Sequence, residues 1–138
     1  FRLQLTSAAC TDPHIPHMSA ISLGRDDVVV AISQSGQTLA LLQSVRLAMQ
    51  AGATVIGLAP QDTALCQECS IAIPVNFEEA DQAFAPVSSR IAHLVVIDVL
   101  ATGVAIKRQP VLKDHLEKLD TSQRVLRKGR VVRVKRES

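Results

Sequence analysis

Aromatic residues are scarce in this sequence of 138 residues, which has three Phe and neither Trp nor Tyr. An apolar core must therefore consist of Val, Ile, Leu and Ala, the residues that usually fill a parallel sheet covered by helices. The scarcity also argues against a nucleic-acid surface that stacks bases on aromatic rings. Hydrophobic residues make up 47% of the chain and charged residues 20%, so the composition predicts one packed domain and argues against wholesale disorder.

Cysteine is also sparse, with Cys10, Cys66 and Cys69. The C-x-x-C spacing of the last two would need two further ligands to hold zinc, but no second pair exists, and His14 and His17 lie in a different segment. A redox motif would start a helix after a strand, whereas this pair ends a predicted short helix. We interpret the pair as small buried thiols and expect no metal and no cofactor. The odd number without a disulfide framework indicates the cytoplasm.

Long uncharged apolar runs are missing as well. No run approaches ~20 residues without a charge, so no membrane span is predicted, and no signal-peptide pattern is present. The chain starts at Phe1 rather than Met, and its first five residues read like the end of an element. We therefore expect a piece of a longer protein.

Charge is distributed unevenly along the chain, although the net charge is only +2. Residues 124–138 carry seven basic side chains and one acid, Glu137, whereas the other 123 residues carry eight basic and twelve acidic groups. A basic tail of this kind contacts nucleic acid in some proteins and is a solvated extension in others. We favour the solvated extension, and we divide the chain into a domain over 1–127 and a basic tail over 128–138.

A strand–helix–strand unit occupies the centre of the sequence. Val28–Ile32 is a continuous apolar run typical of a strand buried on both faces, and Thr54–Ala59 is a second one. Between them, apolar positions at helical spacing run from Leu39 to about Ala51, and Gly52 fits the position just past a helix end. This order predicts a βαβ unit with parallel strands, and hence an α/β fold.

The flanking segments are assigned from shorter patterns. They predict a weak strand over 5–11 and a short strand Ile71–Pro74 towards a sheet edge. Short helices are predicted over 14–22, with Pro13 at the first helical position, and over 63–69. An acidic loop over 76–87 precedes two longer helices, over 88–107 and 111–127. The 88–107 helix is apolar around almost its whole circumference. Such a helix must be buried on all sides, and in a small domain a second subunit does this best, so we expect a homodimer.

The loop from Ser33 to Thr38 is the best candidate for chemistry, because it lies between a buried strand and a helix N-terminus. Free N–H groups and the helix dipole there favour a bound phosphate. Ser33, Ser35 and Thr38 offer hydroxyls, Gly36 permits close approach, and Gln34 and Gln37 add amides. The loop lacks the Lys of a Walker A sequence and is not G-x-G-x-x-G. By composition alone, an equal alternative is that Ser35 or Thr38 merely caps the helix.

Residues 32–38, Ile-Ser-Gln-Ser-Gly-Gln-Thr, closely resemble the phosphosugar-binding signature of SIS (sugar isomerase) domains. The resemblance implies a three-layer αβα sandwich of flavodoxin-like type with a mainly parallel sheet, here without the family's first strand. It also implies that Ser33, Ser35 and Thr38 bind the sugar phosphate. The remaining loop residues, Gln34, Gly36 and Gln37, would line the loop.

The later segment Ser88-Ser89-Arg90-Ile91, with its following Leu and Asp, is similar to the corresponding helix of RpiR-family transcriptional regulators, as is Asp12-Pro13-His14. That resemblance implies a sugar-phosphate sensor whose helix-turn-helix domain, the contact with DNA, is absent from this chain. It makes Ser88 and Ser89 secondary ligand candidates, although capping of their helix is an equal alternative for Ser89.

An aldose–ketose isomerase is the competing hypothesis, since SIS enzymes carry out that reaction. Isomerisation needs a general base, and the available groups are Glu78, Glu79, Asp81 and His93. We interpret the three acids as solvated loop charges and His93 as a packed or interface residue. The sequence therefore favours the sensor over the enzyme. A purely structural dimerisation module, which would bind no phosphosugar, is a third alternative.

Overall fold

The computed structural model describes residues 3–10, 12, 14–76 and 87–131. Its helices and strands are α1 His14–Ile21, β1 Val28–Ile32, α2 Leu39–Gln50, β2 Thr54–Ala59, α3 Ala64–Glu68, β3 Ile71–Pro74, α4 Val87–Lys107 and α5 Gln109–Val131. The chain divides into two compact units. One spans Ala8–Ile97, and the other combines Phe1–Ser7 with Asp98–Ser138.

The first unit contains a three-stranded sheet in the order β1-β2-β3, in which both pairs of strands are parallel. Val28 is opposite Thr54, and Ile56 is opposite Ile71. The predicted α/β class and its parallel βαβ unit are confirmed. Pro74 ends β3 at one edge of this sheet, where its missing N–H breaks no inner ladder, as the sequence indicated. β1 forms the other edge within the described residues.

One face of the sheet packs on α2 and α3, and α1 packs in turn on α2. Val29, Ala31, Val55 and Ala59 all point to this face, since side chains two residues apart along a strand share a side. The buried core consists of small and branched aliphatic residues: Ala20, Ala31, Leu42, Val45, Ala48, Ala53, Val55, Ala59 and Leu65. Within the part of the chain that the structure describes, the core is therefore aliphatic, as the composition predicted.

The opposite face of the sheet is only partly buried. Leu58 is fully buried there, but Val28, Val30, Ile32 and Ile71 are between 42% and 61% exposed. Strands buried on both faces were predicted from the continuous apolar runs. Within the first unit, the prediction is correct for β2 near its carboxyl end and wrong for β1.

Gly52 ends the crossover from α2 to β2. It has a φ of +97°, and Ala51 and Gly52 donate backbone hydrogen bonds to Leu47 and Met49. A side chain is strained in this left-handed conformation, which explains why the helix ends at Gly as the sequence indicated. The turn delivers the chain directly to Thr54, whose N–H bonds the carbonyl of Asp27 just before β1.

Several predicted boundaries need correction. Residues 5–10 form no strand and are exposed, because their mixed side chains offer no apolar face to bury. The last helix starts at Gln109 rather than at 111 and continues to Val131, so Pro110 lies in the first turn, where its missing N–H costs nothing. Four parts of the predictions lie outside the described residues: residue 11, Pro13, residues 77–86 and residues 132–138. Residues 77–86 include most of the predicted acidic loop, and 132–138 belong to the basic tail.

Helix α4, which was predicted to be buried with the help of a second subunit, exposes much of its apolar surface in the single chain. Its most exposed apolar side chains, each at least 57% exposed, are Ile91, Leu94, Val95, Val99 and Ile106. By length and composition, the stretch Ser88–Lys107 is long and apolar enough to cross a membrane, despite the charges of Arg90 and Asp98 within it. The core helix of a soluble protein can have the same length and composition, so these two properties do not distinguish it from a membrane span.

The second unit is built around the end of α4 and the start of α5. The helical hydrogen bonds continue across the joint, from Arg108 N–H to the Val104 carbonyl and from Leu112 N–H to the Arg108 carbonyl. Arg108 also donates from Nη1 to the backbone oxygen of Leu3 at 2.7 Å. Leu112 is fully buried.

Candidate functional site

The loop 33–38 leaves the sheet at the carboxyl end of β1. Ser33 continues the ladder by one bond, donating its N–H to the Leu58 carbonyl at 3.0 Å, and the chain then turns into α2. Ligands of open α/β sheets bind at this edge, outside the carboxyl ends of the strands. The structure thus brings all six predicted loop residues to the expected place.

Two local hydrogen bonds from backbone N–H groups to serine hydroxyls shape the loop from within. The Oγ of Ser33 accepts the Gly36 N–H at 2.9 Å, and the Oγ of Ser35 accepts the Gln37 N–H at 3.3 Å. Gly36 adopts a φ of +62°, which only a residue without Cβ takes up at little cost. The sequence motif therefore encodes a backbone conformation as well as a set of donors.

Thr38 is the N-cap residue of α2, but its side chain makes no capping hydrogen bond. Ser35 bonds within the loop rather than to the helix. The alternative that one of these hydroxyls merely caps the helix is therefore not observed. The hydroxyl of Thr38 and the first N–H groups of α2 remain at the helix N-terminus, where the helix dipole favours an anion.

The six loop residues differ in exposure. Gln34, Ser35, Gln37 and Thr38 are exposed, whereas Ser33 and Gly36 are buried. Ser33 was predicted as a hydroxyl donor to the ligand, and the structure shows its oxygen bonded inside the loop. This contact holds the loop in shape, whatever further bond the Ser33 hydroxyl proton makes.

A cavity of about 330 Å³ lies beside the first turn of α2, and it was not foreseen from the sequence. Residues of α1 and α2 line it: His14, His17, Met18, Ala40 and Gln43. The spacing of His14 and His17, three residues apart on a helix, puts both on one face and was the available signal. That they face α2 depends on the fold, which no local pattern reveals.

Ser88 and Ser89, the secondary ligand candidates, lie in the first turn of α4. Ser88 is exposed, whereas Ser89 is 1% exposed. His93, one turn further along, is also buried. Burial lowers the pKa of the His93 imidazole, and a hydrogen bond to the backbone of Ser89 opposes that effect in part. Residues 77–86 precede this helix, so Glu78, Glu79 and Asp81 lie outside the described residues.

Cys66 and Cys69 form no disulfide, and their side chains are half-buried. The Sγ of Cys66 donates to the Pro60 carbonyl at 3.4 Å, and that of Cys69 to the Cys66 carbonyl at 3.7 Å. Among the described residues, no group of three His, Cys, Asp or Glu side chains is arranged to hold a metal ion.

Residues 6–103 match the family model of the SIS domain. The chain belongs to the SIS domain family. The resemblance found in residues 32–38 is thereby confirmed over most of the chain.

Two relatives show what kinds of protein contain similar SIS domains. The chain is 41% identical over 108 residues to Bifunctional protein glk of Paraburkholderia xenovorans, a match that covers 78% of this chain and 17% of that protein. It is 35% identical over 119 residues to the HTH-type transcriptional regulator HexR of Escherichia coli, a match that covers 86% of this chain and 41% of the regulator. The chain therefore spans less than half the length of either relative.

Two solved structures are similar to this SIS domain. The Vibrio vulnificus NanR protein complexed with ManNAc-6P superposes with a TM-score of 0.76 at 21% identity, covering 91% of this chain and 47% of NanR. At that identity the match bears on the fold alone. The E. coli CFT073 protein c3406, solved in complex with arabinose 5-phosphate, has a TM-score of 0.57 at 28% identity, covering 62% of this chain and 47% of c3406.

Proposed function

We propose that this SIS domain is the effector-sensing part of a transcriptional regulator of sugar metabolism, and that it binds a sugar phosphate at the loop 33–38. The similarity to HexR over 86% of the chain supports the regulator. The similarity to a protein solved in complex with arabinose 5-phosphate supports the ligand class. DNA would be bound by a helix-turn-helix domain outside this chain, and the effector would act by shifting the equilibrium between two arrangements of the protein.

The observation that carries the proposal is the geometry of the loop. Ser35 and Thr38 are exposed, Thr38 makes no capping bond, and Gly36 at φ +62° lets the backbone turn closely around an anion. The first N–H groups of α2 follow directly. A phosphate placed there receives donors from the backbone and from the hydroxyls at once, with no lysine needed.

The cavity between α1 and α2 supports a ligand larger than phosphate. Ala40, in the first turn of α2, lines it together with the side chains of His14, His17 and Gln43. These groups are suited to hydrogen-bond sugar hydroxyls, while Met18 offers an apolar surface. Ser88 and Ser89 remain secondary candidates in this proposal, with Ser88 the better of the two because it is exposed.

We further propose that the domain works as a homodimer formed through α4. The helix buries the polar Ser89 and His93, while Ile91, Leu94 and Val95 are exposed. An exposed apolar surface of this kind on a helix is typical of a contact with another protein molecule. In a cytoplasmic protein, α4 of a second copy of the chain would bury this apolar surface.

The proposal assigns no catalytic role to this chain. His93 is buried and its pKa is lowered, and its exposed neighbours Ile91 and Leu94 are apolar. A general base for isomerisation has to reach the substrate. Incubation of the chain with aldose and ketose phosphates, followed by separation of the isomers, tests this point, and turnover above a protein-free blank would favour the isomerase.

Calorimetric titration with sugar phosphates, starting with arabinose 5-phosphate and ManNAc-6P, tests the binding site. Changing Ser35 and Thr38 together to Ala should weaken binding by at least roughly 100-fold, because each charge-assisted hydrogen bond contributes about 1.5–3 kcal/mol. The matched control changes the exposed hydroxyl residues Ser22 and Thr121 to Ala. Equal affinity in the wild type and the loop variant would refute the site.

A further inference from the structure

The N-terminus of α3 contacts the loop 33–38 at Gly36. A Cβ on Gly36 would overlap the Oγ1, Cβ and Cγ2 atoms of Thr63, so the Thr63 side chain lies directly against the Gly36 Cα. The Leu65 N–H donates to the Gly36 carbonyl at 3.0 Å. Thr63 lies well downstream of the loop along the chain, and nothing in the signature motif refers to it.

We propose that Thr63 is a positioning residue for the anion loop. It acts through Gly36 and has no need to touch the ligand. Packing of Thr63 against the Gly36 Cα holds that residue at φ +62°, and the bond from Leu65 turns the Gly36 carbonyl towards α3. This inference rests on the proposed function, since it concerns how the same loop is prepared for its phosphate.

The direction of the Gly36 carbonyl matters because its oxygen carries a partial negative charge. If it pointed towards the anion, it would repel the phosphate and replace one of the donors there. Bonded to the Leu65 N–H, it is held away from that position. The loop is then preorganised, and binding does not have to order it.

Further contacts connect Thr63 and α3 to their surroundings. Thr63 donates from Oγ1 to the Pro60 carbonyl at 2.8 Å and is 9% exposed. Arg46 of α2 makes a two-bond ion pair with Glu68 of α3, each bond at 2.6 Å. The loop therefore lies between two helices that an ion pair joins. We expect a displacement of α3 to move Gly36 as well.

A double-mutant cycle between Gly36 and Thr63 tests the proposal, with Gly36→Ala, Thr63→Gly and both together. Affinity is measured by titrating inorganic phosphate and arabinose 5-phosphate, with ¹H–¹⁵N spectra recorded to confirm the fold. Gly is tolerated at a helix N-cap, so Thr63→Gly should fold. We expect it to bind about tenfold more weakly, the effect of loosening a preorganised site. The Leu65 and Gly36 amides should also exchange faster with solvent.

Gly36→Ala alone should lose more than about tenfold in affinity, because the new methyl group meets Thr63 in addition to the positive φ. In the Thr63→Gly background the same change should cost much less, since the obstacle is gone. The matched control is Gln61→Gly. It adds the same backbone freedom to the same turn and keeps the bond from the residue 61 N–H to Asn76 Oδ1, so its affinity should equal that of the wild type.

Three outcomes decide between the claims. Non-additive losses with faster exchange at Leu65 support the positioning role. If the wild type binds both probes but the two changes add independently, or Gln61→Gly is as weak as Thr63→Gly, Thr63 does not position the loop and the proposed function stands. If the wild type binds neither probe, the proposed function fails, and the positioning role fails with it. Should Gly36→Ala not fold, the comparison of Thr63→Gly with Gln61→Gly decides alone.

Discussion

The buried imidazole of His93 makes the stability of this domain depend on pH. Burial holds its pKa below the ordinary value of 6.5, which it regains in the unfolded chain. Between those two values the unfolded state binds more protons, so the stability contributed by neutral His93 is present above pH 6.5 and lost as the pH falls through the folded pKa.

Thermal unfolding of the wild type and of His93→Gln at about pH 7.5 and about pH 5.5 checks this prediction. The wild type should lose more stability on acidification than the variant. Glu68 is a separate contributor, because Arg46 holds its pKa below the ordinary 4.5, and its effect is confined to more acidic solutions. An identical loss in both proteins would show that His93 titrates normally.

The residues of the anion loop could be predicted from the sequence, but the different structural role of each residue could not. Ser33 and Ser35 carry the same side chain two positions apart, yet one is buried and accepts the Gly36 N–H while the other is exposed. The Gly of the motif permits the positive φ at position 36, but the contact of Gly36 with Thr63 joins distant segments and is not a property of the local sequence.

Among the helices and strands, α4 gives the clearest prediction about the oligomeric state. Replacing Leu94 and Val95 by Glu puts two charges on its exposed apolar surface, and we expect the proposed homodimer to dissociate because desolvating those charges is costly. Sedimentation equilibrium measures the effect. Thr102→Glu, an exposed polar position on the same helix, is the control and should leave the association constant nearly unchanged.

A wild-type chain that sediments as a monomer would contradict the dimer through α4. So would a Leu94→Glu, Val95→Glu variant that associates as strongly as the wild type.

Within the sheet, we expect the central strand β2 to contribute most to the stability of the fold. Leu58 is fully buried, and Leu58→Ala should lower the free energy of unfolding by about 2–5 kcal/mol, the usual cost of such a cavity. Urea unfolding compares it with Leu39→Ala, at a position 64% exposed, which should change little. A loss below about 1 kcal/mol at Leu58 would mean that this face of the sheet is open to solvent.

The bounds of the central elements followed from the sequence because each is marked by a physical signal. The apolar run Val28–Ile32, the helical spacing after Leu39 and the Gly at 52 were all read correctly. The predicted strand over 5–11 failed because a strand needs a partner, which a short mixed segment does not specify. The apolar pattern of α4 indicates that the helix must be covered but does not say which molecule covers it, so burial by a second subunit stays a prediction.

At the scale of the whole chain, the sequence predicted the family and the candidate loop but not the contacts between distant segments. The cavity between α1 and α2 and the support of Gly36 by Thr63 both join residues that the fold alone brings together. The domain division at residue 127 stays a prediction. Helix α5 continues past that point to Val131, so the start of the basic tail is helical.

The central claim is that an anion binds where β1 passes into α2. A ¹H–¹⁵N titration with a phosphorylated sugar such as arabinose 5-phosphate reports on every amide at once. We expect saturable shifts concentrated at residues 33–38 and in the first turn of α2, with smaller shifts around the cavity that His14 and Gln43 line. Shifts confined to the basic residues of α5, or none at the loop when ligand is in large excess, would contradict it.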